Sequence, residues 1–359
     1  MKSNAFKSIL GKIARYIIPL AIGGGLIYLL YSSFDFEQMK DIMRNSINYW
    51  WIALALVISV LSHVVRAARW NLQLRALDIH APFSVVVNSI FGTYAVNLVF
   101  PRLGEVWRST YIADRQHASL TTVLGSMVGD RLSDTITVLT LTVATFFISS
   151  DAFISFLDTY PSIQQGIVNM ISSPWVWCAV VVGIIALIIL FRSKSQNKVI
   201  TAVKTIVKNL WDGFYVIVKM KGKWWFLFYT ILLWGCYYTQ LYVATFAFPF
   251  TASLGAKATL VLFVLSSISM GIPTNGGLGA WHIAIIFGLS LYGIGSHFSP
   301  AGPFDAQAST FAMVVWGSQT LMLILLGLYA FTYIAIDKHR IASGKVKVDA
   351  SSNATGMKL

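Results

Sequence analysis

Apolar residues fill long runs of this chain, and the polar positions collect between the runs. The runs are Tyr16 to Tyr31, Tyr49 to Val65, Ser84 to Phe100, Leu120 to Ser149, Pro174 to Phe191, Trp224 to Phe248, Ala258 to Ile272, Ala280 to Ile294 and Ala306 to Ile336. Segments of this length and uniformity read as membrane helices. A full crossing takes about 20 residues, within about 17 to 25, so the pieces at 84–100, 258–272 and 280–294 are short or marginal. The first run follows Lys2, Lys7, Lys12 and Arg15, as a signal peptide would, but no small-residue cleavage site follows it. It is read as a retained first helix.

Two motifs interrupt the pattern: Asn97-Leu98-Val99-Phe100-Pro101-Arg102-Leu103-Gly104-Glu105 and Gly271-Ile272-Pro273-Thr274-Asn275-Gly276-Gly277-Leu278-Gly279. In hydrocarbon every free backbone N–H or C=O is costly, so Pro and Gly at that depth survive only where protein or a wet cavity covers them. Paired interruptions at corresponding positions of two halves point to a transport site.

Composition narrows the class. The chain is 56% hydrophobic and 11% charged, with mean hydropathy +0.68, against about 25% charged residues in soluble domains. This is the composition of a polytopic membrane protein. Cys178 and Cys236 both lie in apolar runs and lack partner spacing, which argues against a disulfide framework or a zinc site. The net charge of +13 comes from bases flanking apolar runs, the distribution of the positive-inside rule rather than of a nucleic-acid-binding face. No cofactor or metal motif is present, nor a metalloprotease, P-loop or nucleophile-elbow signature.

Charge also sets the topology. The segment from Arg192 to Lys223 carries eight Lys or Arg and one acid, which assigns it, with the basic amino terminus, to the cytoplasm. Parity then requires residues 84–119 to enter from the cytoplasm and return, and residues 256–296 to do the same from outside. Cytoplasmic segments then hold 20 of the 27 bases and external loops three; Arg102, Arg108, Arg115 and Arg131 belong to the first hairpin and the helix after it. The expected fold is all-α: six full transmembrane helices plus two oppositely inserted re-entrant helical hairpins. It forms one membrane domain over residues 1–338, with inverted-repeat halves at 49–149 and 224–336. Residues 339–359 are read as a disordered cytoplasmic tail. Tyr49-Trp50-Trp51, Trp175-Val176-Trp177 and Lys223-Trp224-Trp225 sit at helix ends as interfacial anchors.

Several of these residues together resemble a known family. Asn97 with Pro101-Arg102-Leu103-Gly104-Glu105 and Arg108, the charges Asp130, Arg131 and Asp134 one helix later, and Pro273 with Gly276-Gly277-Leu278-Gly279 look like the membrane region of lysylphosphatidylglycerol synthases. That family includes stand-alone flippase-like proteins and the lipid-translocating half of multiple peptide resistance factors. The likeness covers roughly residues 15–335. Two departures stand out: His282 occupies the position where the family pattern usually has Glu, and the 359 residues contain no soluble aminoacyl-transferase domain. The resemblance implies lipid translocation in a bacterial inner membrane.

The chemistry of the first motif suits a head group. Arg102 offers a planar fork for a phosphate, and Glu105 accepts from an ammonium or hydroxyl, so together they would recognise a zwitterion. The alternative is that Arg102 caps carbonyls at the hairpin turn and pairs with Glu105. Ionisable groups at membrane depth cost at least ~2.5 kcal/mol each, which favours function. Arg108 and Arg115, in the more polar returning arm, read as interfacial bases, although the family motif brings Arg108 into the candidate site. Asp130 and Asp134 share a helix face, and Arg131 pairs with Asp134 at three residues' spacing. They form a polar wall of a lipid path or a proton-coupled carboxylate, or else an internal ion pair locking the helix to the hairpin. His282 gates the second hairpin or is a hydrogen-bonded core group. His63 and Arg66 are read as interfacial and outside the site. Asn275 completes the candidate set at the second turn, with Gly276, Gly277 and Gly279 as backbone devices.

The leading functional reading is a transporter rather than a chemical catalyst: a translocase for a phospholipid, aminolipid or lipid-linked intermediate. The second is an intramembrane transferase or hydrolase using Glu105, Asp130 or Asp134 as base. A third is a lipid-presenting partner of a separate synthase.

Overall fold

The computed structural model describes residues 35–100, 102–159, 161–192, 219–272, 274–295 and 305–344. The expected first helix and Pro101 and Pro273 of the two motifs lie outside them. The described residues form helices and turns without strands. In chain order the helices are α1 (Phe36–Asn45), α2 (Tyr49–Ala76), α3 (Phe83–Val99), α4 (Leu103–Arg115), α5 (Leu120–Ile148), α6 (Ser150–Thr159), α7 (Pro161–Ser172), α8 (Pro174–Arg192), α9 (Lys223–Thr245), α10 (Gly255–Ser269), α11 (Ala280–Ser290) and α12 (Ala306–Ala342), with a 3-10 turn at Asn275–Gly277.

Local chemistry accounts for the ends of several helices. The Asn48 side chain accepts from the Trp50 N–H to start α2, and Asp305 accepts from Gln307 and Ala308 to start α12. Phe100, just past α3, is extended at φ −124°, ψ 103°, the conformation a following proline enforces. α12 continues to Ala342, so residues 339–342 are helical rather than the start of a tail, and residues 345–359 lie outside the description.

By length and apolar composition α2, α5 and α12 can cross a membrane, and a fourth span is available if Gln164–Met170 and Pro174–Gly183, bent by 53°, form one broken helix. α3 and α10 are shorter apolar helices, as the run lengths predict. The outer face of α5 is bare, with Leu139, Val143, Phe146 and Phe147 all exposed. Such a surface belongs in lipid. Trp50, Trp175, Trp224 and Trp225 also stand exposed at helix ends, as interfacial anchors do.

Two apolar cores occupy opposite ends of the bundle. One joins Ile52 and Ala55 of α2 to Val243 and Ala244 of α9, Leu262 of α10, Ile285 of α11 and Phe311 of α12. The other joins Trp70 and Leu74 at the far end of α2 to Val86 and Ile90 of α3, Ile112 of α4, Val123 of α5 and Ile334 of α12. Backbone and side-chain bonds agree on the ends: Asn48 N–H donates to Ala247 C=O, and Lys257 meets Asp151, at the first; Ser84 meets Tyr333, and Arg115 meets Asp337, at the second. The α3–α4 pair therefore starts and finishes at one end, and the α10–α11 pair at the other. Between the two cores, α2 carries Ser59, Ser62, His63 and Arg66, all buried.

Arg115 is not an interfacial base as its position suggests. It is buried against α12, with Nε donating to Asp337 Oδ2 at 2.7 Å.

Candidate functional site

The two sequence motifs meet. Asn275 Nδ2 donates to the carbonyls of Leu98 and Val99, each at 3.2 Å, and Arg102 Nη2 donates to the Gly271 carbonyl at 2.6 Å. These are carbonyls at helix ends, which have no intrahelical partner. Each turn thus satisfies part of the other's broken backbone. Trp316 of α12 adds a bond from Nε1 to the Gly276 carbonyl at 2.9 Å.

Within the first turn, Asn97 of α3 holds α4 in place: its Oδ1 accepts from the Gly104 N–H at 2.8 Å and its Nδ2 donates to Glu105 at 3.3 Å. Gly104 is required by packing, because a Cβ there would run into the Thr93 carbonyl of α3. In the second turn Gly276 has φ +58° and Gly277 φ +77°, and a Cβ on Gly276 would lie 2.7 Å from Leu98 Cδ2 across the junction. The positive φ values call for glycine here, whereas the leucine methyl could turn aside. Gly279, at φ +84°, precedes α11, and its N–H points at His282 Nδ1, 3.4 Å away. His282 is fully buried between Trp281 and Trp316, in the position of a helix-capping core group.

Beside the turns lies a buried ionic cluster in which Arg69, and Arg66, which the sequence reading left outside the site, join the candidate residues Arg108, Asp130 and Asp134. Arg69 of α2 donates to Asp130 at 2.6 Å and to Asp134 at 2.7 Å; Arg66, one turn earlier, reaches Asp134 at 2.9 Å and Asp130 at 3.3 Å. Arg108 of α4 reaches Asp130 at 3.4 Å with its guanidinium 4.3 Å from the Trp70 ring centroid. Arg66 also donates to the Tyr237 hydroxyl, which neighbours that of Tyr94. The cluster ties α2, α4, α5 and α9 together across the polar middle of the bundle.

Three expectations change. Arg66 and Arg108 are not interfacial: their side chains are 5% and 0% exposed, and both pair with α5. Arg102 does not pair with Glu105, whose cation is Arg131 at 3.3 Å. The contact of Arg131 with Asp134 is the looser one, at 3.8 Å. Asp130 and Asp134 do lock α5 in place, but chiefly to α2 rather than to the hairpin.

A signal for the missing residues existed. Arg66 and Arg69 are three apart, on one helix face, and no turn residue separates them from the apolar run ending at Val65. The helix had to continue through them, which sets two cations on one face of α2. Among the described residues no group of His, Cys, Asp and Glu could hold a metal ion. No curated protein and no solved structure matches the chain. The family model of the lysylphosphatidylglycerol synthase TM region matches residues 16–327, and the chain, an integral membrane protein of lipid-related function, belongs to that family.

Proposed function

We propose that this chain is a lipid translocase of the bacterial cytoplasmic membrane, moving a phospholipid or lipid-linked head group between leaflets along a path bordered by the two turns. In this reading α3–α4 and α10–α11 are re-entrant hairpins inserted from opposite faces. The apolar run at 16–31, with α2, α5, α8, α9 and α12, makes six crossings, both termini are cytoplasmic, and the halves around the hairpins form an inverted repeat. Residues Asn97 to Arg108, the α5 charges and the second turn from Pro273 to His282 line the route.

The observation that carries this reading is the junction of the turns. Two interrupted segments reach each other from opposite ends of the bundle, and their polar groups stand next to a buried ionic cluster. Discontinuous helices meeting mid-membrane are how transporters hold cargo, and charges kept at such depth are functional by default. The enzymatic reading has less support. Asp130 and Asp134 are each bonded to at least two guanidiniums, and Glu105 to Arg131 and Asn97, so none is a free base.

The test is reconstitution of the purified protein into vesicles carrying a head-group-labelled phosphatidylglycerol. Label in the inner leaflet should become accessible to an impermeant reductant, as it does not in protein-free vesicles. Full protection of the inner leaflet, with correctly folded protein present, would remove the translocase reading.

A further inference from the structure

The α3–α4 pair is tied to α12 at its base, far from the turn. Arg115, the last residue of α4, donates from Nε to Asp337 Oδ2 at 2.7 Å and from Nη2 to Oδ1 at 3.4 Å, and both residues are buried. At the start of α3 the Ser84 hydroxyl meets that of Tyr333, one turn before Asp337, at 2.8 Å. Both arms of the pair thus end on one stretch of α12. Nearer the turn, α3 crosses α12 with no side chain between them, since a Cβ on Gly327 would run into Ala95 Cβ. Small residues let two backbones approach this closely, and they leave no interlocked side chains to resist a tilt.

Beyond the crossing α12 reaches the other motif, where Trp316 Nε1 holds the Gly276 carbonyl at 2.9 Å. One helix therefore touches the base of the first pair and the turn of the second. At 1.5 Å per residue Gly327 lies about 16 Å from Trp316 and about 15 Å from Asp337, so the two arms are nearly equal. A tilt about the crossing that parts Arg115 from Asp337 moves Trp316 by about as much in the opposite sense.

The closed base leaves polar groups unanswered. The Tyr111 hydroxyl, one turn before Arg115, is buried without a hydrogen-bond partner among the described residues, and Asp337, Arg115 and Tyr333 are close enough for their charges to act on it. Gln116 Nε2, on the residue after Arg115, is likewise buried and unpartnered. A buried donor without an acceptor raises the energy of the closed arrangement. It narrows the gap to one in which Arg115 lets go and Tyr111 donates to Asp337 instead.

We propose that Arg115 and Asp337 form a latch: closed, it holds the α3–α4 pair against α12, and its release tilts α12 about Gly327 and shifts the second turn through Trp316. That the movement serves lipid translocation rests on the reading above; the latch itself does not.

Thiol labelling of the purified protein, with Cys178 and Cys236 replaced by serine, tests it. Ile334→Cys reports on the base, where Ile334 is 6% exposed, and Leu262→Cys reports on the opposite core, where Leu262 is fully covered. Asp337→Asn and Arg115→Gln should each speed labelling at Ile334→Cys at least about tenfold, the factor that one charge-assisted bond supplies, and leave Leu262→Cys slow. Asp337→Asn should also change the rate at which a bifunctional reagent joins Leu98→Cys to Asn275→Cys at the junction of the turns. Unchanged labelling at Ile334→Cys, or a parallel rise at Leu262→Cys, overturns the latch, the second because the pair would then only hold the fold together. Faster labelling with an unchanged junction overturns the coupling through α12.

Reconstitution separates the latch from the translocase. Arg115→Cys with Asp337→Cys, joined by a bifunctional reagent long enough to span the side chains they replace, should stop lipid movement. Movement that continues with the base tied overturns the proposal. Labelling as expected, in protein that moves no lipid with the base free, overturns the translocase reading alone.

Discussion

Whether a salt bridge matters depends on where its charges sit, and this chain offers both extremes. Lys257 and Asp151 meet at 2.8 Å with side chains 51% and 70% exposed. Water screens such a pair, so its loss should cost between zero and about 1 kcal/mol. Asp130 and Arg69 meet at 2.6 Å with both side chains fully covered. Removing that carboxylate strands buried guanidiniums, at a cost of about 3–5 kcal/mol. Asp130→Asn should therefore lower the unfolding midpoint of the detergent-solubilised protein by many degrees, while Asp151→Asn leaves it within a degree or two. Similar midpoints for the two variants would mean that the cluster is hydrated and contributes as a surface pair does.

At the scale of elements, the pairs α3–α4 and α10–α11 are held tip to tip by bonds in which side chains answer broken backbone. Asn275 Nδ2 lies 3.2 Å from the Leu98 carbonyl oxygen, so the two backbones are within one side chain of each other. A disulfide needs Cα atoms within about 7 Å, and a short bifunctional reagent only somewhat more. In a background with Cys178 and Cys236 replaced by serine, Leu98→Cys with Asn275→Cys should form a disulfide or accept a short bifunctional reagent. Lipid movement should stop on cross-linking and return on reduction of the disulfide. If the pair never links, or links without affecting movement, the junction is not part of the path.

For the whole molecule, the two ends of the bundle should face different compartments. Asp78 and His117 lie exposed in turns at one end, and Ala252 lies exposed in a turn at the other. Arg66 and Arg69 are neutralised inside the protein, so they leave the cytoplasmic tally, which falls from 20 bases to 18. Against three outside, the bias still directs the Asp78 and His117 end to the cytoplasm. An impermeant thiol reagent applied to intact cells should label Ala252→Cys, and should label His117→Cys only after permeabilisation. The reverse pattern would invert the topology together with the assignment of each hairpin to its face.

The amino-acid pattern by itself determined that the chain is helical and membrane-bound, where most helices run, and which two turns interrupt them. Those properties follow from run length, apolar composition and Pro/Gly placement, which act over a few residues of chain. Family membership was legible too, because Asn97, Gly104 and Glu105 sit in one short motif. Tertiary structure alone decided the partners. Arg66 is 64 residues from Asp130, and Arg115 is 222 residues from Asp337. Arg102 answers a carbonyl 169 residues away instead of the carboxylate three residues on. A charged side chain near the end of an apolar run has the same local signature whether it reaches interfacial water or a carboxylate on another helix. Only the packing of α2 against α5 and α9 excludes the water and supplies the carboxylates.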